Sequence, residues 1–116
     1  MDSESRCFSF MTFDVVVELI HRQVEAQPGD AGGGCSNDGR KFKVWFAVGD
    51  GVPTLGMISH ECWHLFMSIM SHVDQHEHRF SELADEVYAY SFQTLFSTVL
   101  DSMLGSEMYQ KALKGA

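Results

Sequence analysis

The stretch that most constrains this chain runs from Leu55 to Val73. It follows the break Gly49-Asp50-Gly51-Val52-Pro53, and Thr54 offers a side-chain oxygen suited to capping a helix. Beyond Thr54, Met57, Ile58, Trp63, Leu65, Phe66, Met67, Ile69, Met70 and Val73 fall on almost every side of a helical cylinder. His60, His64 and Ser68 recur at a spacing of four and form a thin polar stripe, with Glu61 beside it. A helix apolar nearly all round is expected to be buried. The stripe then needs partners, because a buried polar group left unpaired costs on the order of 2 kcal/mol.

That stripe also carries the strongest chemical signal. In His60-Glu61-Cys62-Trp63-His64 the two imidazoles share one face about a turn apart, close enough to share a metal ion. Glu61, rotated round the axis, can reach a water on that metal without being a ligand. Cys62 points elsewhere and is expected to be a small core residue. A hydrolytic zinc site needs three protein ligands and one open position. With His60 and His64 as two, the third is expected from a separate element packed on this helix. Glu86 is the candidate, within Asp85-Glu86-Val87-Tyr88-Ala89-Tyr90 in the first turns of the next helix.

That next helix is expected to start after Ser81 as its N-cap, run to about Met103 and stop at Gly105. Leu83, Val87, Leu95, Val99 and Met103 form its expected core stripe. Glu86, Tyr90 and Gln93 lie on another face, with Ala89 leaving room for close approach. Between the helices, His72-Val73-Asp74-Gln75-His76-Glu77-His78 reads as a solvated connection rich in metal-ligand types. His72 lies eight residues past His64, ~12 Å along the axis, too far to join the first site. The polar tail from Ser106 to Ala116 is expected to fray.

The first half of the chain reads as a small sheet. Lys41 to Val48 alternates charged and apolar side chains before turning wholly apolar, the best strand in the sequence. Phe8 and Phe10 alternate with small polar residues in a shorter strand signal over Cys7 to Phe13. Asp14 to Ala26 is ambiguous. Val15-Val16-Val17 favours a strand, whereas Phe13, Val16 or Val17, Ile20 and Val24 keep helical spacing, so a strand passing into a helix is expected. Gln27 to Gly34 reads as a flexible loop and Ser36-Asn37-Asp38-Gly39 as a turn. The glycine run is not a phosphate loop, since it lacks the Gly-Lys-Ser/Thr ending and no apolar helix follows it.

At 116 residues and 45% hydrophobic content, a single domain with one core is expected over residues 1–116. The acidic start Met1-Asp2-Ser3-Glu4-Ser5 lacks the pattern of a signal peptide, and no apolar run reaches membrane-spanning length. Cys7, Cys35 and Cys62 are odd in number and form no CxxC pair, which suits reduced thiols in a cytoplasm. A formal net charge of −8 argues against a nucleic-acid partner, because phosphate binding needs clustered Lys and Arg.

The paired motifs resemble the gluzincin-type layout of zincin metallopeptidases, and more closely a set of small phage-encoded zincin-like proteins. Their pattern is Gly-x-x-x-His-Glu-Cys-x-His followed by Glu-x-x-Ala-Tyr on a second helix. Gly56 to His64 and Glu86 to Tyr90 match it residue by residue, and the resemblance covers about residues 41 to 104. It implies an α+β minimal zincin: a small sheet, the HExxH helix and a C-terminal helix carrying the third ligand. It further implies Zn2+ held by His60, His64 and Glu86, and peptide-bond hydrolysis with Glu61 as general base. Tyr90 or Tyr88 is expected to hydrogen-bond the developing oxyanion. The Lys41 to Val48 strand would bind an extended peptide by edge pairing. So small a chain has little surface for a cleft, which a partner or a homodimer mate could complete. The alternative expectation is a non-catalytic, metal-stabilised interaction protein, for example a phage factor that binds a host protein in the host cytoplasm.

Overall fold

Strict alternation decides the sheet. Val15, Val17 and Leu19, and opposite them Phe42, Val44, Phe46 and Val48, are each at most 3% exposed, while the residues between them are half-buried or exposed. The computed structural model describes residues 3–21, 32–38, 40–49, 51–73 and 82–115, without the side chains of 73, 82–85 and 115. The elements run β1 (Ser3–Phe10), β2 (Phe13–His21), β3 (Gly33–Asn37), β4 (Lys41–Val48), α1 (Leu55–Val73), α2 (Glu82–Leu104) and α3 (Glu107–Gly115). The fold is therefore α+β. Among the described residues no helix is long and apolar enough to cross a membrane.

The strand order is β1-β2-β4-β3, with β2 and β4 parallel and both edge pairs antiparallel. β4 is thus an internal strand, paired on both sides. The expected edge pairing of a peptide with Lys41 to Val48 is corrected by this: β4 is paired on both sides, whereas among the described residues β3 is paired on one. β3 is itself a correction, since Gly33 to Asn37 was expected to be loop and turn. Its small residues pair with β4 through Gly33–Phe46 to Asn37–Phe42, a long-range choice that local composition does not signal. The turn that follows does use Asp38, whose carboxylate accepts from the Lys41 backbone N–H at 3.0 Å.

The ambiguous segment after Asp14 is strand through His21, because period-2 burial puts Val15, Val17 and Leu19 on one face of the sheet. A helix would scatter those three round its axis. The helical continuation expected to Ala26, the loop from Gln27 to Ala31, the Asp74 to His78 connection and the Ser81 cap all lie outside the described residues.

Thr54 caps α1 as expected. Its Oγ1 accepts from the Met57 N–H at 3.1 Å, and its carbonyl accepts the first helical bond from Ile58. The tail that was expected to fray is the ordered helix α3, with Tyr109 and Ala112 buried. Ser106 caps it by accepting from the Tyr109 N–H at 3.3 Å, and the Arg6 guanidinium on β1 donates to the Gly105 carbonyl at 2.6 Å. In α2, Leu95, Val99 and Met103 are fully buried. Val87, expected to join that stripe, is 49% exposed; the buried face passes through Phe92 and Tyr88 instead, as the 3.6-residue period requires over that distance.

Candidate metal centre

α1 lies on the sheet through Ile58, Cys62, Leu65 and Ile69, all fully buried. At 100° per residue, His60 falls on the opposite side of the helix from Ile58. Its side chain is 66% exposed, and His64 is exposed as well. The inward polar stripe read from the sequence is therefore an outward one. The sheet covers one side of α1 and α2 covers another. Among the described residues no third layer covers the rest. Met57, Trp63 and Met67, counted as core, are consequently 36%, 49% and 48% exposed.

The structure brings the two histidines together. His60 Nε2 and His64 Nε2 lie 3.2 Å apart, with ring centroids at 4.8 Å. Without a metal, one ring N–H donates to the other ring nitrogen. The same separation suits chelation: two bonds of roughly 2.0–2.1 Å spanning a tetrahedral angle hold their nitrogens roughly 3.3–3.4 Å apart. For these two residues the fit to a zinc ion is good.

Glu61 takes a different position from the pair. Its Oε1 lies 4.0 Å from His60 Nε2, and its side chain is 14% exposed, turned towards β3. A Cβ added at Gly33 would sit 3.3 Å from Glu61 Cγ, 3.1 Å from a Phe46 ring carbon and 3.0 Å from the Trp45 carbonyl. Any larger residue here would crowd Glu61, Phe46 and the Trp45 carbonyl. Burial, and after it the Glu61 charge, pushes the Cys62 thiol up to about 12; the same causes raise Cys35. Cys62 is fully buried, as expected for a small core residue.

Helix α2 packs antiparallel on α1 through rings: Trp63 on Phe92 at 5.5 Å, Phe66 on Phe92 at 5.7 Å and Phe66 on Tyr88 at 6.3 Å. Extending that register brings Tyr90, 66% exposed, level with His64. It brings Glu86 level with Ser68, roughly 6 Å further along α1. Glu86 is exposed, and so are Ala89 and Gln93, so Ala89 serves no close helix approach. Among the described residues no three His, Cys, Asp or Glu side chains form a metal-holding group, so Glu86 is not assembled with the pair.

His72 belongs to a different cluster. Its Nδ1–H donates to the Ser68 carbonyl at 2.9 Å, and its ring packs edge-on against Phe42 at 5.4 Å and Phe13 at 6.2 Å. A groove of about 390 Å³ also lies away from the histidines, lined by Glu4, His21, Val48, Glu107 and Lys111. Glu4 there is already engaged at the start of α3, and none of the metal-binding candidates reaches the groove. The sequence reading missed the β3 edge beside Glu61 and the exposure of Met57, Trp63 and Met67. The signal for the latter was present, because His60 and His64 share their side of the helical wheel with Met57 and Met67. No protein-family model, no curated protein and no solved structure matches this chain.

Proposed function

We propose that His60 and His64 bind a zinc ion and that the protein hydrolyses peptide bonds with Glu61 as general base. The observation that carries this reading is the 3.2 Å separation of the two Nε2 atoms on an exposed helix face, with Glu61 alongside. Zinc, when bound, supplies Lewis-acid polarisation of a carbonyl and acidifies water. Glu61 takes the proton of the attacking water and returns it to the leaving amine. Tyr90 donates a hydrogen bond to the developing oxyanion, with Tyr88 as the alternative donor. Glu86 is the third ligand in this reading, carried over from the resemblance to small phage-encoded zincin-like proteins. An extended peptide pairs with the edge of β3 away from β4, the strand whose Gly33 lies beside Glu61.

A second reading is a metal-stabilised binding protein, for example a phage factor acting on a host protein. It is favoured by a specific observation: two ligands, not three, come together among the described residues. Metal analysis of the purified chain and mass spectrometry of a peptide mixture separate the two. Under the first reading, Glu61→Gln keeps zinc and fold and loses cleavage. Undiminished cleavage by that variant rejects Glu61 as the base. Zinc uptake with no cleavage by the parent chain leaves the second reading.

A further inference from the structure

Charge is distributed unevenly along this chain. Of its 8 basic and 16 acidic residues, only Glu61 falls within α1 or within residues 87–100 of α2. A helix face that meets only solvent normally carries Lys, Glu or Asp. Here the two packed helices expose Met57, Trp63, Met67, Val87 and Tyr90 instead. The remaining large apolar side chains exposed among the described residues are Met11, Leu55, Leu104 and Leu113. Depletion of charge with enrichment of Met, Trp and Tyr is the composition of an interface core. Trp and Tyr are also the residues that most often carry binding energy.

We infer that the outer face of α1 and α2, centred on His60 and His64, docks a polypeptide segment whose large apolar side chains are flanked by lysine or arginine. Among the described residues β3 pairs only with β4, so its other edge offers backbone groups to an extended chain, and the helix face offers apolar surface to its side chains. The chain carries a formal charge of −8, and Glu61 and the exposed Glu86 stand at the margins of this face, so basic flanks are attracted to it. A second copy of this chain would set one acidic body against another. A zwitterionic bilayer would gain nothing from that acidity, and an anionic one would be repelled. The inference holds whether the docked segment is cleaved or only held.

The test uses the full chain with zinc and three fluorescent peptides read by anisotropy. One has a Leu-Phe-Leu centre flanked by lysines, the second the same centre flanked by glutamates, and the third a Ser-Gly-Ser centre flanked by lysines. The first is expected to bind at least tenfold more tightly than either other. Met67→Lys, at an exposed position, is expected to weaken it at least tenfold while zinc uptake and circular dichroism stay unchanged. Equal binding of the three peptides overturns the inference, as does indifference to Met67→Lys. So does a dimer in light scattering that Met67→Lys dissociates, which assigns the face to a second copy. Co-sedimentation with phosphatidylcholine vesicles likewise reassigns it to a membrane. If no zinc binds and the peptide preference persists, the metallopeptidase reading fails and the docking face stands. Zinc binding without the preference gives the reverse.

Discussion

Ser106 donates a 2.6 Å hydrogen bond to the Glu4 carboxylate, joining the first strand of the sheet to the start of the last helix. The same Glu4 oxygen accepts from the Met108 N–H at 3.1 Å, so one carboxylate serves both the cap residue and the first turn of α3. Glu4→Ala is expected to lower stability by about 1–2 kcal/mol in urea unfolding, the range of a lost helix cap. The hydrogen bonds from Ser106 and Met108 hold the Glu4 carboxyl below its usual value. A lowered folded value means the contribution is fully present above the ordinary glutamate range, near pH 4.3, and is lost as pH falls through the lower folded value. The difference between parent and Glu4→Gln should therefore shrink on acidification below about pH 4. A constant difference from pH 7 to pH 3 would refute this role.

The β1–β2 hairpin turns on Met11 and Thr12, with φ of 49° and 69°. Both lie in the left-handed region, where a β-branched residue such as Thr12 is strained. Two-residue hairpin turns with positive φ at both positions favour Asn-Gly. The double variant Met11→Asn, Thr12→Gly is expected to raise stability by about 1–2 kcal/mol, seen as a higher urea midpoint at unchanged slope. An unchanged or lower midpoint would show that the turn is not strained.

How far the fold could be read depended on where each element finds its partners. Strand β4 and the Thr54 cap of α1 are written in local residues, alternating apolar positions in one and a hydroxyl before an apolar run in the other. β3 consists of Gly33-Gly34-Cys35-Ser36-Asn37, whose local preference is for loop; it becomes a strand because β4 offers it an edge. α3 was read as a frayed tail because the Glu4 carboxylate that holds its first turn lies near the other end of the chain. The juxtaposition of His60 and His64 was legible, since a spacing of four puts both on one face of a helix. Its orientation was not legible, because a wheel with apolar residues on every side does not say which side the sheet will cover.

Gly33 is where the sheet edge and Glu61 approach. A methyl group there meets the Trp45 carbonyl at 3.0 Å, a backbone atom that cannot turn aside. Gly33→Ala is expected to cost about 1–3 kcal/mol of stability, the range for overpacking a close contact. It should also displace Glu61, so under the proposed peptidase reading cleavage should fall by more than the loss of folded protein explains. Equal stability of variant and parent in thermal unfolding would show that β3 can move away freely.

Cys62 and Cys7 should separate sharply in a thiol-labelling experiment. Cys7 is exposed on β1, whereas Cys62 is fully buried and its thiol is pushed up to about 12. At pH 8 the Cys62 thiolate is roughly one part in ten thousand, so iodoacetamide should modify Cys7 first and reach Cys62 only on unfolding. Peptide mapping that finds both labelled at similar rates in the native protein would contradict the buried position of Cys62.

The histidine pair gives the most direct measurement on the site. A ligand present at about a hundred times its dissociation constant stabilises the folded state by about 2.7 kcal/mol. For a domain of this length that corresponds to a rise in Tm of roughly 10 °C on adding zinc. His60→Ala and His64→Ala should each abolish the rise, because either removes half of the 3.2 Å bite. Both side chains are exposed, so neither variant should change metal-free stability by more than about 0.5 kcal/mol. Glu86→Ala should reduce the rise if Glu86 is the third ligand, and an undiminished rise assigns that position to another group. His72→Ala provides the contrast. Its ring packs on Phe42 and Phe13, so its loss should lower metal-free stability by about 1–2 kcal/mol and leave the zinc-dependent rise intact. Scanning calorimetry of the four variants with and without zinc reads both quantities. A zinc response that survives in both His60→Ala and His64→Ala would remove the pair from the metal site.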